Sequence, residues 1–209
     1  FIISIGYKHK YIVNYFKKLR DKNLYLDLKG KNKFDKKILE KFNYSNKKNK
    51  FFIKICNTGL KSETGGRIFY LKKILRKENN FLITYGDGLS NVNIKKLIQS
   101  HNKYNPIVTI TSVKQPSRFG QIILDKKISY VKEFNEKPIE DSWINGGFMV
   151  ISKKIFNYLK KNENFEKITL KKLSKMKKKI FAFRHNGFWQ CVDTLRDKKI
   201  LENILKKKK

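Results

Sequence analysis

Two aspartates follow short apolar segments that are typical of strands. Asp87 stands between Gly86 and Gly88 directly after "FLITY", and Asp193 follows "FWQCV". Mg²⁺ needs only one or two protein carboxylates when phosphates and water complete its octahedron. Each aspartate also has an ordinary explanation, because Gly-Asp-Gly is common turn material and Asp193 could cap the helix that follows it. A shared magnesium site is therefore a hypothesis that requires the two segments to meet.

Two further stretches carry side chains suited to a phosphorylated sugar. In "EFNEKP", Glu136 can accept hydrogen bonds from hydroxyl groups and Lys137 can neutralise a phosphate as a point charge. In "WINGGF", Asn145 can donate and accept at once, and Gly146 with Gly147 leaves room for a flat ring against the backbone. The alternatives are a surface turn for the first stretch and a β-bulge for the second.

The stretch "TGLKSETGGR", residues 58–67, leads into an amphipathic helix. Ser62, Thr64, Arg67 and the first amides of that helix are suited to a polar base or an anion. Gly86 adds a position without side-chain bulk, where a phosphate or a nucleoside can approach the backbone. An ordinary capped helix remains the alternative for residues 58–67.

Strand and helix patterns alternate along the chain and predict an α/β protein with one domain over residues 1–209. We expect a mostly parallel, mixed central sheet with right-handed crossovers, flanked by helices, and ligands beyond the carboxyl ends of its strands. "FLITY", residues 81–85, reads as a central strand buried on both faces. The predicted strands are 1–5, 51–55, 81–85, 107–113, 121–124, 128–134, 143–152 and 180–185. The predicted helices are 9–20, 66–77, 93–103, 153–161, 166–176 and 194–205.

The composition is strongly basic, with 50 Lys and Arg against 17 Asp and Glu and a net charge of +33. Such a charge suits a polyanion partner. However, only six of the basic residues are Arg, and the abundant Lys, Asn, Ile and Phe all have AT-rich codons, so we favour compositional drift over specific nucleic-acid binding. No apolar run approaches the length of a membrane span, and two distant cysteines without a CxxC motif favour the reducing cytoplasm.

Taken in order, these stretches resemble the sugar-nucleotide pyrophosphorylases, and within them the cytidylyltransferase branch. The strings that carry the resemblance are "TGLKSETGGR", "FLITYGDGLSNVNIKKLIQSH", "SVKQPSRFGQI", "FNEKP", "INGGFMV" and "HNGFWQCVDTLRDKKILE". They cover the chain nearly from residue 57 to residue 205, between Thr58 and Glu202, with "FIISIGYK" at the front. Each string is weak by itself, and their order makes the joint signal specific.

The resemblance implies a Rossmann-like nucleotide-diphospho-sugar transferase fold. It also implies that CTP and glucose 1-phosphate react to give CDP-glucose and pyrophosphate, for deoxysugar and O-antigen polysaccharide synthesis. By similarity, the catalytic residues are Asp87, Lys137 and Asp193, and the two aspartates hold Mg²⁺. The nucleotide would contact Ser62, Thr64, Arg67 and Gly86. The sugar phosphate would contact Glu136, Lys137, Asn145 and Gly146.

The chain departs from the family pattern at its front. The family opens with a GxGTR loop that embraces the triphosphate, and this sequence has no such loop. We therefore expect an N-terminally incomplete domain, without its first strand and phosphate loop, that binds CTP weakly and turns over poorly. Residues 21–50 match less clearly and are interpreted as a variable arm or as a contact between copies in a homo-oligomer. The alternatives for function are an inactive remnant that binds polyanions, or a pyrophosphorylase that uses UTP or dTTP.

Overall fold

The computed structural model describes residues 1–20, 24–25, 38–45, 50–117, 119–125, 129–136, 138–139 and 141–206. By its internal contacts the chain divides into two compact units. The first unit holds Phe1–Lys77 and Phe156–Lys175, and the second holds Glu78–Ile155 and Met176–Lys209. The expectation of one domain over residues 1–209 stays a prediction. In the part of the chain that the structure describes, no helix combines the length and the apolar character that a bilayer crossing needs.

The first unit is built on a four-stranded sheet. Its elements are β1 (Ile2–Ile5), α1 (His9–Arg20), β2 (Leu24–Tyr25), β3 (Ile38–Ser45), β4 (Lys50–Asn57), α2 (Thr64–Tyr70), α3 (Lys72–Leu75), a π-helical segment (Phe165–Leu170) and α5 (Lys171–Ser174). The strand order is β1-β4-β3-β2, in which β1 pairs parallel with β4 and the other two pairs are antiparallel. Ile5 and Ile55 are buried between the sheet and the apolar side of α1, where Val13 and Phe16 pack.

The second unit holds a four-stranded sheet and two short antiparallel pairs. Its elements are β5 (Asn80–Ile83), β6 (Gly88–Ser90), α4 (Ile94–Tyr104), β7 (Val108–Val113), β8 (Gln121–Leu124), β9 (Val131–Asn135), β10 (Ile144–Ser152), β11 (Ile180–His185), β12 (Trp189–Cys191) and α6 (Leu195–Lys206). A 3₁₀-helix, Lys153–Asn157, follows β10. The large sheet has the order β11-β7-β10-β5, and the short pairs are β12-β6 and β8-β9.

The core of the second unit lies between its large sheet and α4. Asn93 caps α4 by accepting a hydrogen bond from the Lys96 amide at 3.0 Å, and the helix buries Leu97 and His101. His101 Nδ1 lies 2.9 Å from Thr109 Oγ1 on β7. Because α4 contacts β7, β10 and β11, it covers one face of the sheet, as the sequence predicted for an α/β protein.

Strands and helices occur along the chain largely where the sequence pattern predicts them. Where they begin and end, and how the strands pair, agrees less well with the prediction. The helix predicted over residues 66–77 is interrupted at Leu71, and the one predicted over 166–176 begins as a π-helical segment. Residues 153–157 form a single 3₁₀ segment in place of a longer helix. In the two four-stranded sheets, the parallel pairs are β1–β4 and β11–β7, so the sheets are mixed and less parallel than expected.

The strand at the "FLITY" stretch differs from the expectation. It occupies one end of the large sheet that the structure describes, next to β10, and is not a central strand there. Phe81 is buried, whereas Leu82 on the opposite face is 50% exposed. A continuous apolar run marks a strand but does not by itself show that both of its faces are covered.

Candidate active site

The direction of the strands in the second unit places several candidate side chains at one sheet edge. β10 runs antiparallel to both β5 and β7, and β11 runs parallel to β7. The carboxyl ends of β5, β7 and β11 therefore lie at the edge where β10 begins. Asp87 comes shortly after β5, Lys114 directly after β7, and Asn145 near the start of β10. This is the edge where ligands bind in open α/β sheets.

The antiparallel pair β6–β12 brings the two aspartates together. Gly88 lies opposite Cys191 in this pair, and the Val192 amide donates to the Asp87 carbonyl oxygen at 2.9 Å. Asp87 directly precedes β6 and Asp193 follows β12 by two residues, so the register sets both at the same end of the pair. One ligand atom each from Asp87, Cys191 and Asp193 lies within 4.8 Å of the others. We call these three residues the carboxylate–thiol cluster.

The start of α6 explains why the Asp193 carboxylate can belong to this cluster. The Thr194 hydroxyl accepts from the Asp197 amide at 3.2 Å, and Asp197 Oδ2 accepts from the Thr194 amide at 2.9 Å. This reciprocal pair is a capping box with Thr194 at the cap position. The sequence left open whether Asp193 capped this helix, and the structure gives that role to Thr194.

Cys191 is the half-buried member of the cluster. Its Sγ donates to Asp193 Oδ1 at 3.4 Å. Burial raises the pKa of the Cys191 thiol to about 11, with further contributions from the hydrogen bond to Asp193 and from the negative charges of Asp87 and Asp193. With no cation bound, the thiol therefore carries its proton at neutral pH.

The "INGG" stretch forms a β-bulge, the alternative that the sequence left open. The register between β10 and β7 shifts between Asn145 and Met149, and Asn145 Oδ1 accepts from the Gly147 amide at 2.9 Å. Trp189 Nε1 donates to the Gly146 carbonyl at 2.8 Å, which ties β12 to the bulge.

The packing around Gly146 explains why this position has no side chain. A Cβ at Gly146 would lie 3.0 Å from Val113 Cγ1 and 3.4 Å from Trp189 Nε1. Protein atoms therefore fill the space that a side chain at Gly146 would need, and the expected contact of Gly146 with the sugar phosphate stays a prediction. Gly86 differs, because no atom of the described residues beyond its chain neighbours lies within 4 Å of an added Cβ there, so the approach to its backbone is open.

The "EFNEKP" stretch follows the antiparallel pair β8–β9. Glu136 is exposed at the end of β9, and the Pro138 carbonyl accepts from the Ser117 amide at 2.8 Å. Gly120 lies close to this stretch, since a Cβ there would come within 3.2 Å of Glu136 Oε2. Lys137 lies outside the described residues, so its expected contact with a phosphate stays a prediction.

The three residues expected to contact a nucleotide from "TGLKSETGGR" all lie in the first unit. Thr64 Oγ1 donates to Glu166 Oε2 at 2.7 Å and accepts from the Phe165 amide at 3.1 Å. Ser62 Oγ donates to the Thr58 carbonyl, and Arg67 Nη1 donates to Thr58 Oγ1 at 2.9 Å.

These bonds give Thr64 a structural role at the start of α2. The Gly66 amide likewise donates to the Glu163 carbonyl at 3.0 Å. The beginning of the helix therefore packs against protein, and an anion at its amides is not favoured. The expected nucleotide contacts of Ser62, Thr64 and Arg67 stay predictions.

Two functional candidates at the sheet edge, Lys114 and Arg184, were missed by the sequence reasoning. Lys114 Nζ lies 5.7 Å from the centroid of the Trp143 ring, and the Arg184 guanidinium carbon lies 5.6 Å from it. Lys114 also pairs with Asp141 at 3.1 Å. The available signal was position, because Lys114 directly follows a predicted strand and Arg184 lies near the end of another.

Cys191 was also missed as a functional candidate. It was read as an apolar strand residue without a CxxC partner. The signal that could have identified it is its spacing of two residues from Asp193, since alternate residues of an extended segment project to the same side.

The cluster fits a divalent cation on the chemistry of its donors. Two carboxylates from separate segments converge, and Mg²⁺ is commonly held by one or two carboxylates together with substrate phosphates. The thiol is a softer donor than Mg²⁺ prefers. The residues present therefore suit Mg²⁺ through Asp87 and Asp193, with Cys191 as an additional donor of different character.

Comparisons with known proteins identify the class. Residues 30–199 match the family model of the nucleotidyl transferases. The whole chain is 34% identical to the glucose-1-phosphate cytidylyltransferase of Salmonella typhimurium and covers 79% of that protein. It is 35% identical to a probable glucose-1-phosphate cytidylyltransferase of Bacillus subtilis over 94% of this chain and 74% of that protein.

Solved structures agree on the fold. HddC from Yersinia pseudotuberculosis superposes with a TM-score of 0.61 at 22% identity, over 97% of this chain and 77% of HddC. That protein has also been crystallised as a complex with GMP-PN.

The chain belongs to the nucleotidyl transferase family and has that family's α/β fold with mixed sheets. It is an enzyme of the nucleotidyltransferase class, as the sequence predicted from its ordered motifs. Its curated relatives at 34% and 35% identity carry the name glucose-1-phosphate cytidylyltransferase.

Proposed function

We propose that this protein transfers a cytidylyl group from CTP to α-D-glucose 1-phosphate, which yields CDP-glucose and pyrophosphate in a Mg²⁺-dependent reaction. The observation that carries the proposal is the convergence of Asp87 and Asp193 at the ligand edge of the sheet. The names of the relatives that match nearly the whole chain support CTP and glucose 1-phosphate over other substrates of this enzyme class.

The reaction is an in-line displacement at phosphorus. A phosphate oxygen of the sugar phosphate forms a bond to the α-phosphorus of CTP, and the bond from that phosphorus to the bridging oxygen breaks. Pyrophosphate leaves with the electron pair. Since the attacking oxygen is already ionised at neutral pH, no protein base or nucleophile is required, and the protein contributes position and charge.

Different residues of the chain are proposed to hold the cation and to supply positive charge. Asp87 and Asp193 would hold the cation, which when bound supplies positive charge to the phosphates of the two substrates. Lys114 and Arg184 add positive charge at the same edge. Lys137 is proposed to neutralise the sugar phosphate, and this remains a proposal from the sequence.

The substrate contacts are proposed in the same way. Glu136 and Asn145 are proposed for the sugar, since both are exposed and polar. Gly86 is proposed as the place where the nucleotide approaches the backbone, because its surroundings are open. Ser62, Thr64 and Arg67 stay proposed nucleotide contacts.

The product and its compartment follow from the same proposal. CDP-glucose would enter deoxysugar synthesis for surface polysaccharide such as O-antigen. We propose the cytoplasm as the place of the reaction, and the two free cysteines, Cys56 and Cys191, suit a reducing compartment.

The test is an assay of the protein expressed from its complete reading frame, with CTP, glucose 1-phosphate and Mg²⁺. We expect CDP-glucose and pyrophosphate in equal amounts. Asp87→Asn should lower kcat by about 10²–10³-fold, the loss that follows removal of a group that stabilises transition-state charge. CDP-glucose is measured by chromatography and pyrophosphate by a coupled assay.

Glu202→Gln is the matched control, because it removes one exposed carboxylate from α6 that pairs with Lys198. It should retain the parental rate. Unchanged turnover in Asp87→Asn would remove the metal assignment. Product formed from UTP or dTTP in place of CTP would keep the reaction class and overturn the choice of nucleotide.

A further inference from the structure

The carboxylate–thiol cluster contains a donor that a pure magnesium site does not need. Cys191 Sγ, Asp193 and Asp87 each present one ligand atom, and all three atoms lie within 4.8 Å of one another. Neighbouring ligand atoms around a tetrahedral zinc ion lie roughly 3.5 Å apart. Side-chain rotations that move the ligand atoms by about 1 Å would therefore bring the three atoms onto one ion.

The backbone already holds the three residues in place for such a site. Cys191 ends β12 opposite Gly88, and the Val192 amide is bonded to the Asp87 carbonyl. Cys191 and Asp193 are two residues apart, and Cys191 Sγ is in hydrogen-bond contact with Asp193 Oδ1 at 3.4 Å. Because the strand pair sets the register, an ion would have to reorient side chains only.

We propose that Cys191 Sγ is a third protein ligand of the cation held by Asp87 and Asp193, so that the site binds thiophilic transition metals such as Co²⁺ and Zn²⁺ more tightly than Mg²⁺. This inference rests on the metal role assigned to the two aspartates under the proposed function. One sulfur and two carboxylate oxygens form a donor set that zinc and cobalt accept readily and magnesium does not favour. On binding, the metal–sulfur bond replaces the sulfur–hydrogen bond, and the proton passes to solvent.

The second cysteine shows what an ordinary buried thiol looks like in this chain. Cys56 is 0% exposed on β4 in the core of the first unit. Cys191 is half-buried and borders two carboxylates. Cys56 therefore provides an internal control with the same chemistry and a different setting.

The experiment is a titration of the complete protein with Co²⁺ alone, followed by absorbance. A cobalt–thiolate bond gives a sulfur-to-metal charge-transfer band in the near ultraviolet. We expect this band in the wild type and in Cys56→Ser, and its absence in Cys191→Ser. Zn²⁺ should displace Co²⁺ and abolish the band, and Cys191→Ser should bind Co²⁺ at least about tenfold more weakly.

The outcomes separate this inference from the proposed reaction. A wild type without the band, or a band of equal strength in Cys191→Ser, would overturn the thiol ligand even if CDP-glucose is formed with Mg²⁺. A Cys191-dependent band in a protein that forms no CDP-glucose would support the thiol ligand and contradict the proposed reaction. Circular dichroism shows whether each variant has folded, and Cys191→Ala repeats the comparison without a hydroxyl group.

Discussion

The side chain that caps α6 is that of Thr194 and not that of its neighbour Asp193. Because the Thr194 hydroxyl and the Asp197 carboxylate satisfy the start of α6, the Asp193 carboxylate can project toward Asp87. A capping box contributes to the stability of a helix end without using the side chain of the residue before it, and here only the backbone amide of Asp193 joins it, by donating to Asp197 Oδ2 at 3.2 Å. The Thr194 hydroxyl therefore takes the capping role that the sequence also allowed for Asp193.

His101 carries a pH-dependent share of the stability of the second unit. It is 1% exposed, Nδ1 lies 2.9 Å from Thr109 Oγ1, and burial lowers the pKa of its imidazole. The unfolded chain therefore binds a proton at a pH where the folded chain does not. The stabilisation is complete above the ordinary pKa of 6.5 and is lost as the pH falls below it.

His101→Gln tests this directly. Urea unfolding of the wild type between pH 7.5 and pH 5 should show a loss of at most about 1.4 kcal/mol per pH unit in the free energy of unfolding from this group. The variant should lack that part of the slope. Equal slopes in the two proteins would contradict the assignment to His101.

The residues of the site differ in how far the sequence could predict them. Asp87 and Asp193 stand out because each is an acid after an apolar run in a basic chain. Cys191 does not, since a thiol inside a strand-like run has the same pattern whether it packs in a core or borders two carboxylates. The packing around Gly146 could not be predicted, because the neighbours that crowd it, Val113 and Trp189, are distant in sequence.

At the scale of the elements, the bulge in β10 connects the sheet to the β6–β12 pair. Gly147 has a φ of +81°, and a Cβ there would lie 2.8 Å from the Tyr85 ring. Asn145 and Trp189 complete the connection through their bonds to Gly147 and Gly146. The bulge therefore depends on a glycine for its backbone conformation and for space.

Gly147→Ala should lower the free energy of unfolding by about 1–3 kcal/mol, because alanine is strained at this φ and its methyl group would press on Tyr85. Gly86→Ala is the matched control, with nothing within 4 Å of the added Cβ. It should change the free energy of unfolding by less than about 0.5 kcal/mol and raise the KM for CTP. Urea unfolding and steady-state kinetics measure the two effects, and equal destabilisation by both substitutions would refute the account of the bulge.

Elements with a clear apolar pattern could be predicted from the sequence. Very short strands and the pairing between distant segments could not. β7, β10 and α4 were expected close to their observed bounds. β6 and β12 have three residues each, which is too few for an alternating apolar pattern to be recognised in the sequence. Their pairing nevertheless brings together the two aspartates of the candidate site. Whether neighbouring strands run parallel depends on contacts between distant segments, so the sequence overstated the parallel share of the sheets.

At the scale of the whole molecule, charge and family give different kinds of information. The net charge of +33 describes the surface composition, whereas the family match covers residues 30–199 and identifies the enzyme class. Substrates with several phosphates suit a basic protein, since positive charge steers anions toward a site. A specific nucleic-acid partner is not needed to account for the function.

The central claim is that Asp87 and Asp193 share one divalent cation, and Mn²⁺ binding followed by electron paramagnetic resonance tests it most directly. Free Mn²⁺ gives a six-line signal that weakens when the ion is bound, so the number of sites can be counted without turnover. The account predicts one site per chain, its loss in Asp87→Asn and in Asp193→Asn, and no further loss in the double variant, because both side chains serve the same ion. Full binding in either single variant, or independent and additive losses, would contradict it.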